Sequence, residues 1–203
     1  MKKYTIGETT VFGAYNWRVL DVQEDRVLII TEDLIEPRPY HNSYVDITWS
    51  ECDLRAYLNN KFYNQFNETD KKRIIPVANK NDDNQWYGTN GGKKTKDFIF
   101  LLSVEEAVCK YFGDSSQLLY NKGKNQRYWF QRKDSNNSKR SAKHINESWH
   151  SWWWLRSPGR AGVKAVYIHG DGNIGIQGNN IFKGNLDEGM CRGGVRPALW
   201  LSC

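Results

Sequence analysis

The chain contains no apolar run approaching the length of a membrane span, and its start, Met1-Lys2-Lys3-Tyr4-Thr5-Ile6-Gly7, has basic residues without the apolar stretch of a secretory leader. A soluble protein, cytoplasmic as synthesised and without a signal peptide, is expected; surface or virion display would need another route. Cysteine is scarce. The four present, Cys52, Cys109, Cys191 and Cys203, have neither CxxC spacing nor the density of a disulfide scaffold, and they read as free thiols. Catalytic signatures are missing too: no GxSxG, P-loop or HExxH pattern occurs, and His41, His144, His150 and His169 show no metal-ligand spacing. These gaps argue against serine-hydrolase, nucleotidase and metalloprotease chemistry, and neither a cofactor nor a metal is expected.

Aliphatic content is also low. Hydrophobic residues make up only 39% of the 203, and mean hydropathy is −0.75. Nine Trp, eleven Tyr and eight Phe compensate, because each ring buries a large area. The length suffices for one sizeable domain without disulfides or metal, with aromatics carrying the core.

Several elements are legible. Residues 17–21 and 26–31 flank the polar Gln23-Glu24-Asp25 and predict a hairpin. Thr48-Trp49-Ser50-Glu51 fits a capping box, and Leu54, Tyr57, Leu58 and Phe62 recur at helical spacing, predicting a helix over 49–62. The apolar run Phe98 to Leu102 predicts a strand. Ser103-Val104-Glu105-Glu106 is a second capping box, opening a short helix that Gly113 stops. Between these, residues 79–96 are rich in Asn, Asp, Gly and Lys and read as a surface loop anchored by Trp86 or Tyr87. The last quarter reads as an antiparallel meander with strands at 152–155, 165–169, 173–177, 180–183 and 195–201.

Charge is uneven. Residues 121–143 carry Lys122, Lys124, Arg127, Arg132, Lys133, Lys139, Arg140 and Lys143 against the single acid Asp134, a net +7 in a chain of net +6. Interleaved with Tyr120, Tyr128, Trp129 and Phe130, these residues form a candidate anion site, where cations hold phosphates and rings stack on bases. The plainer reading is a solvated loop, a basic insertion at about 114–148.

Two blocks frame the C-terminal part: Trp152-Trp153-Trp154-Leu155-Arg156-Ser157-Pro158-Gly159 and Gly194-Val195-Arg196-Pro197-Ala198-Leu199-Trp200. Strand alternation puts Trp152 and Trp154 on one face and Trp153 on the other. Arg156 and Arg196 sit in apolar surroundings, where a guanidinium needs carboxylates or carbonyls, so both read as structural clamps alongside Trp152, Trp154 and Trp200.

With Trp17-Arg18-Val19-Leu20, Thr48-Trp49, Leu54-Arg55, Leu58-Asn59, Arg73-Ile74-Ile75-Pro76 and Phe100-Leu101-Leu102-Ser103, these blocks resemble a bacterial domain family of unknown function common in Firmicutes. Through its Gly-Val-Arg-Pro element that family is similar to the sulfatase-modifying-factor type of C-type-lectin-like fold. The resemblance implies an α+β, C-type-lectin-like domain over 1–203, of the formylglycine-generating-enzyme type, with antiparallel sheets, two main helices and long loops. That fold serves copper- and thiol-dependent oxidases and the variable proteins of diversity-generating retroelements, so it leaves function open. The oxidase branch needs a pair of nearby cysteines, and Cys191 has no close partner in sequence. The calcium-dependent sugar site of lectins uses Glu-Pro-Asn with Trp-Asn-Asp; neither tripeptide occurs, and Asp171 and Asn173 read as turn residues.

The expectation is therefore a non-catalytic, monomeric recognition protein for a protein or glycan ligand, possible as the variable protein of such a retroelement. Its ligand-binding candidates are Arg160, Lys164, Tyr167, His169, Asn173, Gln177, Asn179, Asn180, Phe182 and Asn185, a mixture of aromatic and amide side chains suited to adaptable recognition. The alternative is a nucleic-acid or anionic-surface binder acting through 121–143; a copper/thiol oxidase using Cys191 is the third reading.

Overall fold

The computed structural model describes residues 3–119, 134–182 and 193–203. The architecture is mixed α+β and mostly antiparallel, built on two five-stranded sheets. The chain opens with β1 (Thr9–Phe12), β2 (Tyr15–Val22) and β3 (Arg26–Thr31), each antiparallel to the next. The predicted hairpin is present: β2 and β3 turn through Gln23-Glu24-Asp25, and Val27 to Ile30 are buried because the strand lies inside a sheet.

Next come β4 (Glu36–Pro37) and α1 (Asp53–Tyr57). Leu54, Leu58 and Phe62 are buried as the helical spacing requires, but the helix is shorter than 49–62. Cys52 caps it, its sulfur accepting the Arg55 N–H at 3.4 Å, while Thr48 and Ser50 bond each other. The chain then widens into a π-helical turn at Leu58–Phe62 and tightens into a 3-10 turn at Tyr63–Gln65. After α2 (Glu68–Arg73), capped by Asn67, follow β5 (Ile74–Ile75), β6 (Val77–Asn79) and β7 (Thr95–Asp97).

Residues 79–96 are not a purely surface loop. β6 and β7 pair at its base, and Asn79, Asn81, Asn84 and Thr95 are buried. The amides supply the hydrogen bonds that a buried loop backbone demands. Nor is Phe98 to Leu102 a regular strand: Phe100 alone makes a bridge, to Ala198, while Ile99 to Leu102 pass buried beneath the sheets. The second capping box is formed, Ser103 N–H donating to Glu106 Oε2 (2.8 Å) and Glu106 N–H to Ser103 Oγ (3.2 Å). A π-helical turn follows at Glu106–Lys110, and Gly113 ends it at φ 92°, a conformation that costs glycine little.

The C-terminal part contains α3 (Asn137–Arg140), β8 (Ala142–Lys143), β9 (His150–Ser151), β10 (Trp153–Pro158), β11 (Lys164–Ile168), β12 (Ile174–Asn180), β13 (Gly194–Val195) and β14 (Ala198–Ser202). β10, β11 and β12 form the expected antiparallel meander. Ile181 and Phe182 are a turn, not a strand start, and Lys183 lies outside the described residues.

The closing block departs most from expectation. Val195 to Leu201 is not one strand: β13 lies in the second sheet, in the order β12-β11-β10-β13-β4, and β14 in the first, in the order β1-β2-β3-β14-β5. Pro197, without an N–H, cannot continue a ladder and marks the crossing. Arg196, 1% exposed, donates there to the carbonyls of Thr31, Arg140 and Glu32 at 2.9, 3.1 and 3.2 Å. Its guanidinium lies 5.1 Å from the Trp153 ring centroid. Burial pulls this group down to about 10, so it stays charged at neutral pH.

Trp152 and Trp154 meet edge to face at 4.7 Å on one side of β10, and Trp153, on the other, donates to Arg140 O at 3.0 Å. Trp200 is buried under Arg26. No helix among the described residues is long and apolar enough to cross a membrane.

Candidate functional site

The nine described residues among the ten proposed for ligand binding do not form one surface. β11 and β12 run antiparallel, with Lys164 opposite Asn180 and Ala165 opposite Asn179, so Arg160, Lys164, Gln177, Asn179, Asn180 and Phe182 gather at one end. His169 and Asn173 are at the other, in the connecting turn. There Asp171 organises the backbone, accepting from the Asn173 N–H (2.9 Å) and side-chain amide (2.9 Å) and lying 3.0 Å from His169 Nδ1. Tyr167 is withdrawn from the surface: it is 3% exposed, with its ring 5.3 Å from that of Trp152, because its position in a central strand faces the core. Asn185 lies outside the described residues.

Of the basic candidates, Lys122, Lys124, Arg127, Arg132 and Lys133 lie outside the described residues, as does Cys191. Lys139 and Lys143 remain. Arg140 is fully buried: it pairs with Asp134 and donates to Gly172 O at 3.1 Å, so it braces the chain and presents no charge to an anion. With Ala142 also buried, the stretch after Asp134 is part of the packed body.

A different place gathers unsatisfied chemistry. A cleft of about 390 Å³ lies between the loop at 81–86, the start of the 104–110 helix and the Arg156-Ser157 segment of β10. This volume is in the range of small-molecule sites. The loop wall is fixed by Asn84, whose amide N–H groups reach Pro158 O (2.9 Å) and Ile176 O (3.2 Å), tying the loop to β10 and β12. Its Oδ1 accepts from the N–H groups of Trp86 and Tyr87 at 3.0 and 3.2 Å. Trp86 is half-buried against the core and lines the cleft, consistent with the predicted aromatic anchor.

Arg156 forms the floor. Its Nη atoms hold the Glu106 carboxylate in a fork, the Nη2–Oε1 arm being 3.0 Å, and Nη1 also donates to Leu101 O at 2.7 Å. The capping-box glutamate therefore serves twice, closing a helix end and neutralising a buried guanidinium. Burial acts to raise the Glu106 carboxyl, but the charge and hydrogen bonds of Arg156, with Ser103 and Lys110, hold it below the usual carboxylate range.

Among the described residues, three buried side-chain polar atoms have no hydrogen-bond partner: Thr31 Oγ1, Asn81 Oδ1 and Arg156 Nε. Asn81 and Arg156 both line this cleft, with these two atoms themselves turned away from solvent. Arg156 is 4% exposed and Asn81 9%, so their situation is costly, about 1–3 kcal/mol for each unpaired group. Sequence reasoning identified Arg156 as a clamp but missed Asn81; its only signal was an amide-rich loop between two apolar segments. No group of three or more His, Cys, Asp or Glu side chains placed to hold a metal occurs among the described residues.

A family model described as "Domain of unknown function (DUF6273)" matches residues 24–203, from the β2–β3 turn to the last residue. Trp17 to Leu20 lie outside that match, and the basic segment lies within it. No curated protein and no solved structure matches the chain.

Proposed function

The chain belongs to the DUF6273 family of domains of unknown function, and from that premise we propose that it is a non-catalytic recognition protein whose ligand sits in the Arg156 cleft. The observation that carries this reading is a concavity of small-molecule size, about 390 Å³, with a wall fixed by Asn84 and a floor formed by the buried Arg156. Concave, largely preformed clefts lined by apolar and a few polar side chains are the usual form of a small-molecule site. The side chains here are poor catalysts: Arg156 is locked to Glu106, and Cys109 is kept protonated by burial, with Glu105 and Asp114 acting in the same direction. Binding, and no bond breaking, is what such an arrangement can do.

The C-type-lectin-like type and its kinship to the sulfatase-modifying-factor fold belong to this proposal, supported by the order and spacing of the framing blocks. β10 and the closing block would then be the scaffold, and the cleft would open beside the meander that Asn84 ties to the loop.

The test is a fragment screen read by two-dimensional NMR that includes the arginine Nε–H region. Binders are expected to move the Arg156 Nε–H and the amide signals of residues 81–86, and Asn81→Leu should abolish those shifts while leaving the far turn at 169–173 unchanged. A screen whose binders all map away from the cleft would overturn the reading.

A further inference from the structure

The loop between β6 and β7 contains Thr89-Asn90-Gly91-Gly92, the single Asn-Gly pair in the chain. An asparagine before glycine is open to attack on its own side chain, because the next backbone nitrogen can close a five-membered ring on Cγ and glycine has no Cβ to obstruct the approach. Hydrogen bonds decide whether a fold hinders or helps that closure. Here two of them fall on the atoms whose charge changes: the Gly91 N–H donates to Asp83 Oδ1 at 2.9 Å, and Asn90 Oδ1 accepts from the Gly92 N–H at 2.8 Å. The first puts a carboxylate on the proton that the attacking nitrogen must lose. The second puts a donor on the oxygen that turns negative as the nitrogen adds. Asn90 and Asp83 are both exposed, so water reaches the pair.

We propose that Asn90 is a self-modification site, at which the Gly91 nitrogen, with Asp83 as its base, converts the asparagine to aspartate and isoaspartate and so moves the wall of the cleft. The bond from Gly91 N to Asn90 Cγ forms as the Gly91 proton passes to Asp83. The Cγ–Nδ2 bond then breaks, and the departing nitrogen takes that proton back and leaves as ammonia. Water opens the resulting cyclic imide at either carbonyl, giving aspartate or isoaspartate. Isoaspartate routes the backbone through Cγ, which lengthens it by one carbon beside Gly91. The loop has no room for that: Gly91 is buried, and even a Cβ there would lie 2.3 Å from the carbonyl oxygens of Asn81 and Asp82. Asn81 and Asp82 line the cleft, so the modification displaces its wall whether or not a ligand is bound.

The experiment incubates the intact protein at neutral pH and physiological temperature, digests samples over time and follows conversion at Asn90 by mass spectrometry, with chromatography separating aspartate from isoaspartate. A synthetic peptide of residues 87–93 is the unfolded reference. The folded protein should convert about tenfold or more faster than the peptide, because only the fold brings Asp83 to the Gly91 N–H. Asp83→Asn should remove that acceleration, and the amide signals of residues 81–86 should shift in the wild type in step with conversion. A folded protein that converts no faster than the peptide overturns the proposal, and this comparison decides even if Asp83→Asn disturbs the loop. Equal rates in wild type and Asp83→Asn overturn the role of Asp83, and conversion that leaves the 81–86 signals in place overturns the movement of the wall.

Discussion

Arg156 and Glu106 show how much one buried pair can govern. The fork between them is enclosed, and its two arms come from a strand and a helix start fifty residues apart in sequence. Arg156→Met should cost about 3–5 kcal/mol in urea denaturation, because it leaves the Glu106 carboxylate buried without its counter-charge. The same pair predicts an acid dependence. A carboxyl held low in the folded state binds fewer protons than in the unfolded chain, so its stabilisation is complete above the unfolded value near 4.5 and is lost as pH falls through the lower folded one. Glu32 and Asp134 behave alike: burial acts to raise them, and Arg18 and Arg140 outweigh it. Wild-type unfolding free energy should therefore drop steeply below about pH 4.5. Glu106→Gln should be less stable at neutral pH and show a shallower drop; an unchanged slope would show that Glu106 is not depressed.

At the scale of elements, the loop between β6 and β7 defines the site, and its conformation depends on a close approach. A Cβ on Gly91 would lie 2.3 Å from the carbonyl oxygens of Asn81 and Asp82. Gly91→Ala must therefore push the cleft wall outward, at about 1–3 kcal/mol by thermal denaturation, and should weaken any cleft ligand about tenfold or more. This loop also marks where sequence reading stopped. Its Asn, Asp and Gly content announced irregular backbone, but composition does not say that Asn79, Asn81 and Asn84 point inward to satisfy it. Capping boxes divided in the same way. Ser103-x-x-Glu106 closes as local hydrogen bonds require, whereas at Thr48 the chain is still turning, and the sulfur of Cys52 caps instead.

Taken as a whole, the molecule is tied together by its last ten residues. β13 lies between β10 and β4 in one sheet, β14 between β3 and β5 in the other, with Arg196 at the crossing. Removing residues 194–203 would strip an interior strand from both sheets, more than the ~5–15 kcal/mol that holds an ordinary domain folded. The truncated chain should show no cooperative unfolding transition and no near-ultraviolet tryptophan dichroism.

Local physics made part of this legible in advance: the β2–β3 hairpin, the alternation of the three tryptophans, the Gly113 stop, and the need of Arg156 and Arg196 for partners all follow from neighbours in sequence. The partners themselves do not. Only packing decided that Glu106 meets Arg156, that Arg140 is buried while Lys139 beside it is not, that Tyr167 faces the core, and that one short segment crosses between sheets. The cleft belongs to this second kind, because its wall and its floor come from segments distant along the chain.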